Sequence, residues 1–371
     1  MALISRLEVV ALLILALLPA RAADDSSLAP LLEPIRAKYH LPALAGAIFT
    51  TDGLKAIGVT GIRKAGTNIP VTVNDLWHLG SNTKAITALL LGTYAAQKKV
   101  SWNDKVVSFF PEISFPKDTQ QITLAQLLTH HAGLIENLDW DSLSKQGSLV
   151  EQRLASVRLA LTKPKYPPGT FHYSNTDYVV IGAVLDKIGG KPWEDLMRQR
   201  IFAPLGMSSA GFGGTGTPGK IDQPWPHSAD GTRNPTNGHD ADLPAILESA
   251  GAVHCTMTDW SKFLVDQLRG GAGLKALLPT GIYQAMQPPP PVSQEGLNFG
   301  YGWGVFQREW AGGKALGHNG SNGENYSVAW LAPTRGFGVL VCTNQGGDNN
   351  AGQAVNDAAD ALILHYLKTR P

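Results

Sequence analysis

Four residues, Ser81-Asn82-Thr83-Lys84, carry the most specific chemical signal in the chain. A serine and a lysine three positions apart on a helix share one face, one turn from each other. The helix they open is apolar all round at its centre (Ala85, Ile86, Ala88, Leu89, Leu90, Leu91, Ala95, Ala96), the mark of a buried element. An unpaired ammonium is expensive to bury there, so Lys84 must lose its proton or find an acceptor. The Ser81 hydroxyl is within reach, and Ser81, at the first position of the helix, also feels the positive end of the macrodipole. That pairing activates a weak nucleophile.

Two further clusters follow. Tyr173-Ser174-Asn175 comes after the turn Pro167-Pro168-Gly169-Thr170 and just before a helical run, which sets a phenol beside a carboxamide. A lysine ammonium nearby would lower the pKa of the phenol and fit it to carry protons. His318-Asn319-Gly320 lies in Gly317–Gly323, a glycine-rich strand edge whose N–H groups could face a substrate carbonyl as an oxyanion hole.

These three motifs, in this order, resemble the serine beta-lactamase and penicillin-binding protein superfamily. Within it the chain is most similar to the class C beta-lactamase branch with its D,D-peptidase, D-aminopeptidase and esterase relatives. Leu127-Leu128-Thr129-His130-His131-Ala132-Gly133-Leu134, Pro204-Leu205-Gly206-Met207 and Ser249-Ala250-Gly251 agree with that branch, and the likeness runs from about residue 28 to 367. The resemblance implies that Ser81 is acylated, with Lys84 as proton acceptor and Tyr173 as the shuttle to the leaving group. It implies that Asn175 holds the substrate's amide side chain, and that His318 and Gly320 border the site. The N–H groups of Ser81 and Ser321 would form the oxyanion hole. This chain has His-Asn-Gly where typical class C enzymes have Lys-Thr-Gly. Imidazole is a weaker anchor than ammonium for a beta-lactam carboxylate, and Asn319 removes a hydroxyl. The resemblance therefore implies a peptidase or esterase in preference to a dedicated beta-lactamase. A slowly acylating penicillin-binding scaffold is the non-enzymatic alternative.

The elements that must position these groups are legible in outline. Helical spacing marks Leu28–Tyr39, Ser81–Lys99, Leu124–Thr129, Leu149–Leu161, Asp177–Ile188, Pro192–Ile201, Thr258–Leu268 and Ala351–Leu367. Strand character marks Ala43–Thr50, Leu54–Thr60, Tyr301–Gln307, Asn325–Ala332 and Phe337–Thr343. Gly211–Pro244 reads as a long loop. The expected fold is α/β (α+β) and beta-lactamase/transpeptidase-like: an antiparallel sheet flanked by helices, with an inserted mainly helical region. Residues 23–110 and 292–371 would build the sheet-and-helix domain and residues 111–291 the insertion, with the proline run Pro288–Pro291 at the boundary.

Residues 1–22 have the pattern of an export signal, with Arg6, the apolar run Val9–Leu18, and Ala20-Arg21-Ala22 as a cleavage site. A secreted or periplasmic protein with no stable membrane anchor is expected. The chain has 31 basic and 30 acidic residues and no basic stripe, which argues against nucleic acid and leaves a small molecule or peptide as the substrate. The oligomeric state is left open. With only two cysteines there is no disulfide scaffold, and Cys255 and Cys342 are either a pair or two buried thiols. His130-His131 reads as loop structure, because no further ligand group completes a metal site. Gly211–Gly216 matches a dinucleotide fingerprint and Gly214–Lys220 most of a P-loop, but Pro218, Pro224 and Pro226 exclude the helix either motif needs. No metal or organic cofactor is implied.

Overall fold

The computed structural model describes residues 28–162, 164–234, 236–238, 241–289 and 298–369. The export signal and part of the proline boundary lie outside them. Seven strands form one antiparallel sheet: β1 (Ala43–Thr50), β2 (Gly53–Gly61), β6 (Asn298–Phe299), β7 (Gly304–Arg308), β8 (Gly313–Ser321), β9 (Tyr326–Ala332) and β10 (Phe337–Thr343), in the order β2-β1-β10-β9-β8-β7-β6. A second sheet of three short strands, β3 (Leu76–His78), β4 (Gly211–Phe212) and β5 (Val253–Thr256), runs in the order β3-β5-β4.

The helices that matter for the site are α1 (Ala29–Lys38), α2 (Thr83–Ala96), α3 (Leu124–Leu128), α4 (Leu149–Thr162), α5 (Asn175–Gly189), α6 (Met257–Gly271) and α7 (Gln353–Thr369). All eight residues of β1 are buried, as they must be in a strand covered on both faces. On one face α1 and α7 pack through Leu32, Val355, Ala358 and Leu362 onto Leu44, Val328 and Val339. On the other, α2, α5 and α6 share a core with Ala45, Ala47, Leu316, Ala329 and Leu340. At about 1.5–3 kcal/mol for each large apolar side chain, these two layers are the main favourable term of the fold. Among the described residues, no helix is long and apolar enough to cross a membrane.

Local signals explain where the key helices start and stop. Ser174 caps α5 by accepting a hydrogen bond from Asp177 N at 3.2 Å, and Gly190 ends it at φ 65°. Thr123 and Gln126 close a reciprocal capping box on α3. Residues 83–94 of α2 are all buried, matching the all-round apolar pattern.

Several boundaries differ from the sequence reading. Ser81 does not open the α-helix but sits in a 3-10 turn, Gly80–Asn82, that feeds it, and α2 ends at Ala96 rather than Lys99. Gly211–Phe212, read as loop, is β4, and Leu76–His78, left unassigned, is β3. Two- and three-residue strands carry no alternation to read. The His318 motif belongs to a nine-residue strand whose glycines hide its period. Cys255 and Cys342 are both free and buried.

Candidate active site

The site forms where the turn before α2, the loop before α5 and the end of β8 meet. β7 pairs with β8 only as far as Gly304 opposite Gly317, whereas β9 accompanies β8 to Ser321. Residues 318–321 therefore have an unpaired flank, and the turn bearing Ser81 lies against it. Two glycines permit this approach. A Cβ on Gly80, which has φ 50°, would stand 2.3 Å from Ser321 N, and one on Gly320 would stand 2.0 Å from Leu79 O and 2.9 Å from Ser81 N. Any side chain at either place would drive the two backbones apart. Ser327 on β9 pins the turn, donating to Leu79 O at 2.8 Å and accepting from Asn82 Nδ2 at 2.9 Å.

Lys84 is fully buried. Its Nζ donates to Ser81 Oγ at 3.0 Å, Asn175 Oδ1 at 2.8 Å and Ala250 O at 2.8 Å. Three acceptors of which none is a carboxylate leave the ammonium hydrogen-bonded but uncompensated. Burial accordingly lowers its pKa from 10.5 to about 7; only an ionised Asp177 would pull the other way. Near neutrality a large share of Lys84 is thus a free amine beside the serine hydroxyl.

Tyr173 is brought to the same point. Its ring lies 4.9 Å from Lys84 Nζ and presents 37% of its surface to the cleft. The lowered phenol pKa expected from the sequence is not found. The outer part of the side chain is exposed, but protein crowded around the hydroxyl pushes it up, and a hydrogen bond with Ser81 recovers only part of that. Lys84 is itself poised to lose its charge, so it supplies little of the field that the expectation relied on. Asn175 spends its carbonyl on Lys84 and donates from Nδ2 to Asn137 Oδ1 at 2.9 Å.

His318 is buried, stacks at 6.2 Å on Tyr173 and hydrogen-bonds the Ser81 backbone. Burial, with Lys84 nearby, holds its pKa down at about 3, so the imidazole is neutral and its Nδ1 has no partner. Ser321 ends β8 beside Gly80. The structure thus brings together all seven residues singled out in the sequence. A cavity of about 400 Å³ opens beside Tyr173 and His318, walled by Phe299, Phe306 and Trp330.

Several contributors had no site role assigned to them from the sequence. Ala250 offers only its carbonyl. His78 accepts from Gly80 N at 3.1 Å through Nδ1 and meets Asp242 Oδ2 at 2.7 Å through Nε2, while Asn322 donates to Asp242 Oδ1 at 2.7 Å. This chain of bonds ties the Ser81 turn to the loop that follows β8. Phe171-His172 and His130-His131 lie across from one another, and His130, in the turn after α3 as its loop reading expected, is buried under Tyr173. The partners of its imidazole are 40 or more residues away in sequence, beyond any local motif. No group of three or more potential metal ligands occurs among the described residues.

The chain is similar in sequence and fold to known proteins. A family model described as Beta-lactamase matches residues 28–363. Penicillin-binding protein 4 of Amycolatopsis lactamdurans is 23% identical over 338 residues, covering 85% of this chain and 84% of that protein. A beta-lactamase of Yersinia enterocolitica is 30% identical over 183 residues, 49% of this chain and 44% of that one. A putative D-alanyl-D-alanine carboxypeptidase of Escherichia coli K12 is 26% identical over 153 residues, 39% of this chain and 35% of that one. In fold, the chain is similar to an octameric penicillin-binding protein homologue from Pyrococcus abyssi, with a TM-score of 0.75, 21% identity, and coverage of 92% of this chain and 77% of that one. A penicillin-binding protein from Bacillus halodurans gives a TM-score of 0.72 at 22% identity, covering 89% and 99%.

Proposed function

Since the chain belongs to the beta-lactamase family, we propose that it is a serine hydrolase that cleaves ester or D-amino-acid amide bonds through an acyl-enzyme on Ser81. The observation that carries this reading is the Lys84 amine, buried and 3.0 Å from Ser81 Oγ, where burial lowers its pKa to about 7. In acylation Lys84 takes the Ser81 proton as Oγ attacks the substrate carbonyl. The N–H groups of Ser81 and Ser321 hold the oxyanion that forms. The proton then passes by way of Tyr173 to the leaving oxygen or nitrogen as the carbonyl–leaving-group bond breaks. Tyr173 keeps its own proton at rest, so it acts as a relay and not as a standing phenolate. Water releases the acyl group by the reverse sequence.

The neutral His318 supports the preference among substrates. Without a fixed cation at this position a beta-lactam carboxylate loses the ionic anchor that an ammonium there would give, whereas an uncharged ester or amide loses nothing. The aromatic cavity beside Tyr173 favours a large apolar group on the substrate. The test is a panel of an activated short-chain ester, a D-amino-acid anilide and nitrocefin, each with the parent protein and Ser81→Ala. The ester or anilide should be turned over and nitrocefin poorly, with all activity lost in the variant. A kcat/KM highest for nitrocefin would favour a dedicated beta-lactamase. Acylation without turnover of any substrate would point to a penicillin-binding scaffold. The homologues with peptidase and lactamase descriptions support the reaction type. Export, expected from residues 1–22, is part of the same proposal: a cleaved protein beginning near Ala23 should appear outside the cytoplasm.

A further inference from the structure

Two titratable groups beneath Tyr173, His130 and Asp177, are almost completely buried and have no part in the chemistry above. His130 stands at φ 60°, a left-handed conformation that residues with side chains seldom adopt. From there its carbonyl accepts from His172 N at 2.8 Å and its Nδ1 accepts from Ser174 N at 3.2 Å. The peptide N–H groups on both sides of Tyr173 are therefore docked on one residue. The imidazole also lies 4.4 Å from the Tyr173 ring.

The same Nδ1 lies 3.0 Å from Asp177 Oδ2. A ring nitrogen that accepts a hydrogen bond carries a lone pair and no proton. Since the Ser174 N–H is aimed at Nδ1, that one lone pair is shared between it and the carboxyl O–H, the carboxyl group holds the proton of the His130–Asp177 contact, and the ring's own proton lies on Nε2, which has no hydrogen-bond partner. Moving it to Nδ1 would set two N–H donors against each other and strand the Ser174 N–H in the interior. An ionised Asp177 would moreover be buried with Oδ1 unpartnered, which is costly.

We propose that Asp177 is a carboxylic acid donating to His130 Nδ1, and that this uncharged pair seats Tyr173 while keeping a fixed negative charge out of the Lys84 pocket. Its seating role rests on the reading of Tyr173 and Lys84 as working groups; its protonation state does not. The surroundings are mixed. Lys84 on α2 and the N-terminus of α5 favour an ionised Asp177, but burial outweighs them and pushes its pKa well up. Burial, then Lys84, His318 on β8 and His131 beside it, push the His130 pKa well down. Tyr173 and Tyr178 complete the surround as neutral phenols. His130 and Asp177 are positioning residues, one step removed from the reacting atoms.

The test reads charge directly. An infrared difference spectrum of the full chain, wild type minus Asp177→Asn at about pH 8, should contain the carbonyl stretch of a protonated carboxylic acid. Should the variant fail to fold, the wild-type spectrum still decides, because absence of any such band at that pH overturns the proposal. These readouts need no activity, so they stand or fall separately from the acyl-enzyme reading. Kinetically, Asn replaces one neutral donor with another, so the acid limb of kcat/KM should stay within about 0.3 pH unit of wild type. Asp177→Ala removes the donor and should lower kcat about tenfold with a smaller change in KM, a loss that Asn rescues. An acid limb moved down by about a unit in Asp177→Asn would mean that a real anion had been removed, and equal losses in Asn and Ala would remove the seating role.

Discussion

At the level of single residues, activity turns on one amine. Lys84 must be neutral to accept the Ser81 proton, so kcat/KM for an uncharged ester should fall as pH drops through about 7, along the limb set by Lys84. The same burial has a cost in stability. The folded pKa is about 7 against an ordinary 10.5, so the unfolded chain holds the extra proton between those values. Stability should therefore rise with pH across that window, while below about pH 7 the penalty is complete and constant. Lys84→Met should accordingly be inactive yet melt at or above the wild-type temperature at pH 7, read by calorimetry. His318 makes the complementary case. His318→Lys would restore an ammonium near the cleft, and turnover of penicillins relative to a neutral ester should rise about tenfold, with the gain shrinking at high salt. An unchanged ratio would remove His318 from substrate choice.

At the scale of elements, two devices hold the site. One is the backbone-to-backbone contact of Gly80 with the end of β8. The other braces the helix that carries Asn175. Arg153 on α4 is completely buried and bonds Asp186 on α5 at 2.8 and 3.0 Å, and Glu194 at 2.7 and 3.2 Å. Arg153→Ala would leave two buried carboxylates facing each other, so a loss of about 3–5 kcal/mol in a denaturant unfolding series is expected. A change under 1 kcal/mol would show the network to be dispensable. Much of the element layer was legible in the sequence. β1 and β10 appear in it with the same limits they have in the structure, because long apolar runs bounded by turns admit few readings. The Ser81, Tyr173 and His318 motifs could likewise be found because each keeps a local spacing. What stayed hidden lacks either length or locality. β3 and β4 are too short to show a period, and the end of β8 is mostly glycine and polar. His130 and Asp177 meet across 47 residues, and Ala250 acts through a carbonyl that every residue possesses. The lowered Tyr173 pKa was the one chemical expectation reversed, since a sequence shows which charges are near but not how dry their surroundings are.

At the scale of the whole molecule, strands from the two ends of the described chain share one sheet, and the helices between them bring Lys84 and Tyr173 to its edge. Both cysteines lie inside that core, Cys342 at the centre of the sheet and Cys255 in the small sheet beside it. The purified protein should therefore give two thiols on titration after unfolding, and a reductant should leave its melting temperature unchanged. The central claim, that Ser81 is the residue acylated, is reached most directly by treating the protein with a fluorophosphonate and locating the adduct by peptide mass spectrometry. A single adduct is expected on the peptide containing Ser81, formed faster as pH rises through about 7 and absent in Ser81→Ala. An adduct on any other residue, or labelling that survives in Ser81→Ala, would contradict it.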